Sequence, residues 1–483
     1  MVLPRDVVLR RRIIVLIVGG FVGVPVAQTP SKSQQIKGQR RTDLSLRDPH
    51  DYVHPSQSVE SFFLNSTSRI KSETTMPTHG LKRVLAARLD EMAQTGRLKG
   101  RESVICGVVP KRDVHGPRYL IEGEGDTPFL RMNSNSYLGM ALRSEIIDAE
   151  ERAATAFGTG PGAVRFISGT WSPHVALERR LAAFHRRSGA MLYSSAYATM
   201  MGLVAPLVTD KTAVISDELN HNCIINAIAL ARPAEKHIYK HLDMGELERA
   251  LGLAAKTCSR AIIVTDGIFS MRGDHAPLDR IMTLARSYDA SFAENAILVV
   301  DDSHGVGAFG ATGRGTEEYT NAPPADLLVA TLGKAFGVNG GYVVADDIII
   351  RYLRETSPFY IYSNPITPAE AAAAVKAIDT VDSPSGAALL RHLRLMVTRF
   401  KAGLIRLGFE TLPGEHSVVP LLLRDTARTM ALVAHLRRNY ILATGLTYPV
   451  VPKGDEEIRF QISADHTPDD IDTALAALGH FVG

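Results

Sequence analysis

Ala296-Ile-Leu-Val-Val300-Asp301-Asp302-Ser303-His304 and, further on, Leu327-Leu-Val-Ala330-Thr331-Leu332-Gly333-Lys334 share one design. Each is a short apolar run that ends in polar residues on a tight loop. The design recurs twice upstream. Ala213–Ile215 leads into Ser216-Asp-Glu-Leu-Asn-His221, and Ala261–Val264 leads into Thr265-Asp-Gly-Ile-Phe-Ser270. Runs this short, bounded by turn residues, read as strands buried on both faces. Between them Met244–Ala255 and Leu278–Tyr288 carry helical periodicity, and Gly341–Ala345 reads as one more strand. Alternation of strand and helix predicts an α/β fold with a mostly parallel sheet covered on both faces. In such sheets ligands sit beyond the carboxyl ends of the strands. Singly, each polar residue there has a dull explanation: a helix cap for Asp301, a loop charge for Lys334, a packed core histidine for His221. Four successive strand ends bearing Asp, His, Ser or Lys make a candidate site.

The rest of the chain sets bounds on that reading. With 483 residues, 45% of them hydrophobic, it can bury a large core and divide into two or more units. The net charge is +3, and no Lys/Arg block in the body suits a phosphate backbone, so nucleic acid is not an expected partner. Cys106, Cys223 and Cys258 are odd in number and far apart. That excludes a disulfide framework and a CxxC metal site, and it suits a reducing compartment. No metal is expected.

Residues 1–75 differ in texture. Arg10, Arg11 and Arg12 precede an apolar run from Ile13 to Ala27, which is short of the ~20 residues that span a bilayer. The segment reads as a secretory signal, as a transit-type leader (Asp6 is the one acid before Arg41), or as translation from an upstream start with the true start near Met76. The body is therefore expected in the cytoplasm, or in the mitochondrial matrix if the segment is a transit peptide, and not on a membrane. From Leu81 the chain reads as globular. Leu81, Val84, Leu85, Leu89 and Met92 share a helical face closed by Gly96. An N-terminal segment over 76–130 leads into a large domain over 131–365. An Ala-rich helix beyond Pro368 opens a smaller C-terminal α+β domain over 366–483.

Two phosphate-loop signatures fail on inspection. Gly305-Val-Gly307-Ala-Phe-Gly310 fits G-x-G-x-x-G, but that fingerprint needs a helix after the turn, and Gly313 and Gly315 would break one. Asp301, Asp302 and His304 would also bring acid close to a pyrophosphate. Gly333-Lys334 lacks the Ser/Thr and the upstream glycine of a Walker A loop.

A lysine on a Gly-containing loop, with an acid at a neighbouring strand end, suits pyridoxal 5'-phosphate (PLP). That cofactor needs an amine for a Schiff base, a carboxylate for its pyridine nitrogen and donors for its phosphate. Eight stretches, in order, carry a more specific likeness. They are Asn135-Ser-Tyr-Leu-Gly139, Val164-Arg-Phe-Ile-Ser-Gly-Thr170, Ser216-Asp-Glu-Leu-Asn-His221 and Asp266-Gly-Ile-Phe-Ser-Met271, then Val300-Asp-Asp-Ser-His304, Thr331-Leu-Gly-Lys334, Tyr448-Pro-Val-Val-Pro-Lys-Gly454 and Ile458-Arg-Phe-Gln-Ile-Ser-Ala-Asp-His466. Over roughly residues 97–480 the chain resembles the α-oxoamine synthases, PLP enzymes of fold type I that condense an amino acid with an acyl-CoA. The glycine C-acetyltransferase branch is the most similar, with Asp217-x-x-Asn-His221 and Ser363-Asn364 among the shared features. Departures from that branch are Ala196-Tyr-Ala-Thr199 in place of Cys-Phe-Asp-Ala, Arg272 in place of Asp, and a shorter loop at Gly337-Val-Asn-Gly340.

The resemblance implies roles. Lys334 holds PLP and acts as the base at the substrate Cα. Asp301 pairs with the pyridine nitrogen, His304 and Ser270 with the phenolic oxygen, and His221 stacks on the ring. Ala196, Tyr197 and Thr331 hold the phosphate, and Ser363 reaches in from the second subunit of a homodimer. Asn135 and Arg459 hold the substrate carboxylate, the latter as a planar fork. The implied reaction joins an amino acid, glycine in the most similar branch, to an acyl-CoA such as acetyl-CoA. A PLP aminotransferase or lyase on the same fold, another branch of the family, and a non-catalytic binding protein stay open as alternatives.

Overall fold

The computed structural model describes residues 78–98, 100–448 and 450–482; the expectations for residues 1–75 lie outside these. A seven-stranded sheet organises the body. Across it run Gly189–Tyr193, Gly341–Ala345, Leu327–Thr331, Ala296–Asp301, Arg260–Asp266, Thr212–Asp217 and Glu235–Tyr239. Gly341–Ala345 is antiparallel to both its neighbours, and the other pairings are parallel. The central strands are buried along nearly their whole length, as a sheet covered on both faces requires. Alternate residues face opposite layers. Ala213, Ile215, Ile263, Leu298 and Val300 pack with Leu247, Leu251, Ile281 and Met282 of the helices Met244–Ala254 and Leu278–Tyr288. Val214, Ile262, Val264 and Val299 pack with Leu203, Ile224 and Ile228 of Ala196–Leu207 and Asn222–Ala231 on the other side.

Two of these strands do not read clearly from sequence. Glu235–Tyr239 opens on three polar residues, Glu235, Lys236 and His237, because it is the sheet edge, where polar side chains are tolerated. Gly189–Tyr193 is only five residues long and follows the helix Ser172–Phe184. The Ala-rich helix runs over Pro368–Val381, started by a Thr367/Glu370 capping box, and Pro384–Arg406 follows. The chain then builds a four-stranded sheet in the order Glu410–Thr411, Val418–Leu422, Glu457–Gln461, Thr444–Leu446. Leu130–Arg131 pairs with Ile441–Leu442 as a separate two-stranded sheet, which ties the chain near residue 130 to the C-terminal portion.

One expectation needs adjusting, for the first helix, and the reading of the glycine run holds. The helix His79–Gln94 forms and Gly96 follows it with φ 66°, but none of its residues is buried. Leu81, Val84, Leu85 and Leu89 are all exposed, so its apolar face is not part of the core formed by the described residues. The Gly305–Gly315 run forms a hydrogen-bonded turn and no helix, with Gly307 N–H donating to the Gly313 carbonyl at 2.7 Å. It wraps Asp302, whose carboxylate accepts the Thr316 N–H and hydroxyl, both at 2.7 Å. A Cβ on Gly305 or Gly315 would meet an Asp302 oxygen at 2.2 or 2.0 Å. The second acid of the Asp-Asp pair is therefore a packing element.

Candidate active site

The parallel strands point their carboxyl ends at one cavity of about 190 Å³. It is lined by Ala196, Tyr197, His221, Ser270, Asp301, His304, Thr331 and Lys334, which are eight of the residues selected from sequence. Lys334 follows the strand Leu327–Thr331 on a turn held by Gly337 N–H to its carbonyl (3.1 Å) and Val338 N–H to the Leu332 carbonyl (3.0 Å). Burial lowers the Lys334 amine to about 8, against the pull of Asp301 and Asp266. An amine near neutrality is suited to both covalent and proton-transfer work. Asp301 ends the central strand, 5% exposed, and its Oδ1 accepts the Ser303 N–H at 3.1 Å.

The structure can accept a PLP molecule, judged by its own donors. Ser195 caps the helix Ala196–Leu207 through Ala198 N–H (3.1 Å), and Ala196 and Tyr197 N–H have no acceptor among the described residues. Free amides at a helix N-terminus that opens on a cavity suit a phosphate. Gly341 makes this possible, since a Cβ there would lie 2.2 Å from the Ala196 nitrogen. The buried Ser303 hydroxyl, also at the cavity, has no hydrogen-bond partner among the described residues. Thr331 is already engaged: its hydroxyl donates to the Gly340 carbonyl (3.1 Å) and accepts Gly333 N–H (3.0 Å). His221 caps Asn222–Ala231 and is exposed on the cavity wall, so it is not a core histidine.

A chain of contacts extends from His304 into the second sheet. His304 Nδ1 lies 2.6 Å from the Tyr137 hydroxyl, which is 3.1 Å from Asn135 Oδ1. Asn135 Oδ1 also accepts from Arg459 Nη2 at 2.8 Å. Orienting the Gln461 amide so that its nitrogen faces the Met132 carbonyl lets its oxygen accept from Arg459 Nε at 2.8 Å. Glu457, two residues from Arg459, is 3% exposed and its Oε1 has no hydrogen-bond partner among the described residues. Burial raises its carboxyl to about 8, while the charges of Arg459 and Arg272 pull the other way. Arg459 is thus held by two amides, and a surface pairing with Glu457 does not describe it. Ser363 lies half-buried on the turn after Pro358–Ile361, outside the cavity of its own chain.

Several neighbours escape a sequence reading. Asp266 and Cys223 line the cavity, the former on the strand next to Asp301. Tyr137 sits inside a quoted motif yet carries no obvious chemistry by type. His416 fixes the backbone of the site, donating from Nε2 to the His304 carbonyl at 3.0 Å while Nδ1 accepts Val418 N–H at 3.1 Å.

Arg272, which departs from the family pattern, is outside the cavity. Its Nε donates to Asp274 Oδ2 at 2.8 Å. Asp274 also meets His241 Nε2 at 3.2 Å, and His241 Nδ1 meets Asp217 at 3.1 Å. Burial opposes charge on His241, but the hydrogen bonds to Asp217 and Asp274 outweigh it and raise the ring to about 9. A raised folded value means stability present in full below the unfolded value of ~6.5 and lost as pH climbs through 9. His241→Gln should therefore cost ~2–3 kcal/mol at pH 7 and little at pH 10. Urea unfolding at the two pH values checks it, and an equal loss at both would contradict it.

With the geometry in hand, comparison with known proteins is specific. The family model described as aminotransferase class I and II matches residues 127–478. The 2-amino-3-ketobutyrate coenzyme A ligase, mitochondrial, of Bos taurus is 37% identical over 399 residues, covering 82% of this chain and 91% of that protein. The 8-amino-7-oxononanoate synthase of Geobacter metallireducens is 38% identical, covering 76% and 92%. A serine palmitoyltransferase from S. paucimobilis, solved with PLP and myriocin, superposes with TM-score 0.72 at 23% identity over 84% of this chain and 98% of its own. At that identity it speaks for the fold, which is PLP fold type I. The chain belongs to the class I and II aminotransferase family, and within it to the α-oxoamine synthases, enzymes whose cofactor is PLP.

Proposed function

We propose that the protein transfers an acyl group from acyl-CoA to the α-carbon of glycine, with acetyl-CoA the leading donor. The observation that carries this is Arg459. It is a cation held by Asn135 and Gln461 without an acid partner among the described residues, and it is linked through Tyr137 to a residue lining the Lys334 cavity. The substrate pair follows the ligase relative by analogy. Bound PLP supplies an electron sink for the α-carbon. In this chain Lys334 anchors the cofactor and takes the α-proton. Asp301 holds the proton of the pyridine nitrogen. His304, kept in place by Tyr137, and Ser270 hydrogen-bond the phenolic oxygen, and His221 covers the ring face. The amides of Ala196 and Tyr197 take the phosphate, with Thr331 beside them. Arg459 and Asn135 orient the carboxylate so that the α-hydrogen points at Lys334. A new bond then joins Cα to the acyl carbonyl carbon, the C–S bond breaks, and the sulfur leaves as free CoA thiol. The product is a 2-amino-3-oxo acid, or an aminoketone if carbon dioxide follows.

A second reading, a longer acyl donor with another amino acid, is favoured by the similarity to the oxononanoate synthase. An amino acid by acyl-CoA matrix, followed by thiol release, separates the two. Absence of thiol release with every donor would sink both, and formation of a keto acid without acyl-CoA would make the protein an aminotransferase or lyase. We further propose a homodimer in which Ser363 serves the neighbouring site, working in the cytoplasm or the mitochondrial matrix. Among the described residues no helix is long and apolar enough to cross a membrane.

The carboxylate assignment has its own test. Arg459→Lys keeps the charge and loses the planar two-point fork. Loss of one charge-assisted hydrogen bond, ~1.5–3 kcal/mol, should raise KM for the amino acid roughly ten- to hundredfold. KM for the acyl-CoA should stay nearly unchanged. Steady-state kinetics with each substrate varied in turn decides it, and an unaltered amino-acid KM removes Arg459 from the site.

A further inference from the structure

Asp266 and Asp301 stand directly opposite each other on adjacent parallel strands. Both are buried, at 4% and 5% exposure, and both line the cavity. Neighbouring strands are ~4.8 Å apart, and residues in register project to the same side. Two carboxylates so placed, away from water, oppose each other's ionisation. One of them must give way.

Their surroundings decide which. Asp301 receives a donor on each oxygen, the Ser303 N–H on Oδ1 at 3.1 Å and the Cys223 thiol on Oδ2 at 3.5 Å. The thiol also lies 3.0 Å from His221 Nδ1, which accepts the Cys223 N–H at 3.2 Å, so Asp301 shares this donor with the imidazole. Burial, with the charges of Asp301 and Asp266, pushes the thiol upward and keeps its proton on. Asp266 receives one donor, the His221 N–H at 3.0 Å on Oδ2. Donors aimed at a carboxylate favour its charged form, and Asp301 has more of them.

We propose that Asp266 is a positioning residue carried as the neutral acid, so that Asp301 is the one anion offered to the pyridine nitrogen. The inference rests on the PLP role assigned to Asp301 above. Burial and the Asp301 charge hold the Asp266 carboxyl well above the usual carboxylate range; Asp217 adds to this, while the His221 N–H and Lys334 oppose it. A second full negative charge would also hold the proton on the Lys334 ammonium and leave less free amine to accept one, since each acid raises that amine. The same residue pins the loop that carries His221. Its own N–H donates to Asn220 Oδ1 at 2.8 Å, and the Asn220 amide nitrogen reaches Ser216 Oγ and the Val264 carbonyl, both at 2.8 Å.

Infrared spectra of the full-length protein at pH 7, with and without PLP, test the assignment. The wild-type minus Asp266→Asn difference should contain the carbonyl stretch of a protonated carboxyl, above the amide envelope. Taking the difference separates it from the buried acids Asp302 and Glu457. The matching Asp301→Asn difference should contain an ionised carboxylate band, and the pH at which the Asp266 band vanishes should fall in that variant. If asparagine at 266 prevents folding, Asp266→Glu keeps an acid and displaces the band, which makes the same assignment. A carboxylate band in place of the protonated one in the Asp266 difference overturns the proposal. Borohydride trapping of PLP, scored separately, shows whether any failure belongs to the cofactor site or to the protonation state.

Discussion

Lys334→Ala should leave a folded protein that holds PLP without a borohydride-stable link and turns over at least ~10³-fold more slowly. A positioned base alone contributes ~10²–10⁴-fold, and the covalent anchor goes with it. Folding should survive because the side chain is half-buried on a turn whose hydrogen bonds are made by backbone groups. Purified wild type should be yellow; borohydride reduction and peptide mapping should place the adduct on the peptide containing Lys334. An adduct on any other lysine ends the assignment. Added primary amines offer a second check, since a small amine can restore a missing proton acceptor without restoring the link.

Asp301→Asn carries the next largest effect. The amide is nearly the shape of the acid and can keep the Ser303 N–H contact, but it cannot hold a pyridinium proton as a carboxylate does. Turnover should fall by at least ~100-fold, the scale of a lost charge contact in the transition state. PLP should remain bound through Lys334 and the helix amides. A fall of less than tenfold would reduce Asp301 to a cap of the turn that follows it.

How far these residues can be read from sequence depends on their kind. Ala261–Val264 and Leu327–Ala330 announce themselves because a strand covered on both faces has to be apolar throughout. The polar residue that ends such a run is then conspicuous, which is how Asp301, His304, Ser270 and Lys334 are found. Cys223 is hidden by type, since a lone cysteine reads as a small apolar core residue. Asp266 lies in the same quoted stretch as Ser270 but gains its meaning only from register with Asp301, a relation between strands. Asn135, on the loop after Leu130–Arg131, and Arg459, on Glu457–Gln461, are far apart in sequence and meet only in the folded chain, so family likeness had to supply them. The face of His79–Gln94 misleads in the opposite sense: its periodicity is real, yet it joins no core formed by the described residues.

The Asp301–Asp302 doublet has a consequence for how this gene can change. Side chains alternate faces along a strand, so losing one residue from Ala296–Val300 would bring Asp302 to the place of Asp301. An acid would still end the strand, and a crude comparison of sequences would record the motif as intact. Yet the glycine turn would lose the carboxylate it is wrapped around, while the strand's apolar residues would exchange layers. Single-residue insertions and deletions should thus be absent from this strand among functional descendants, and tolerated in exposed stretches such as Gly123–Asp126. The doublet works as a frame marker, legible to anyone aligning distant members of the family.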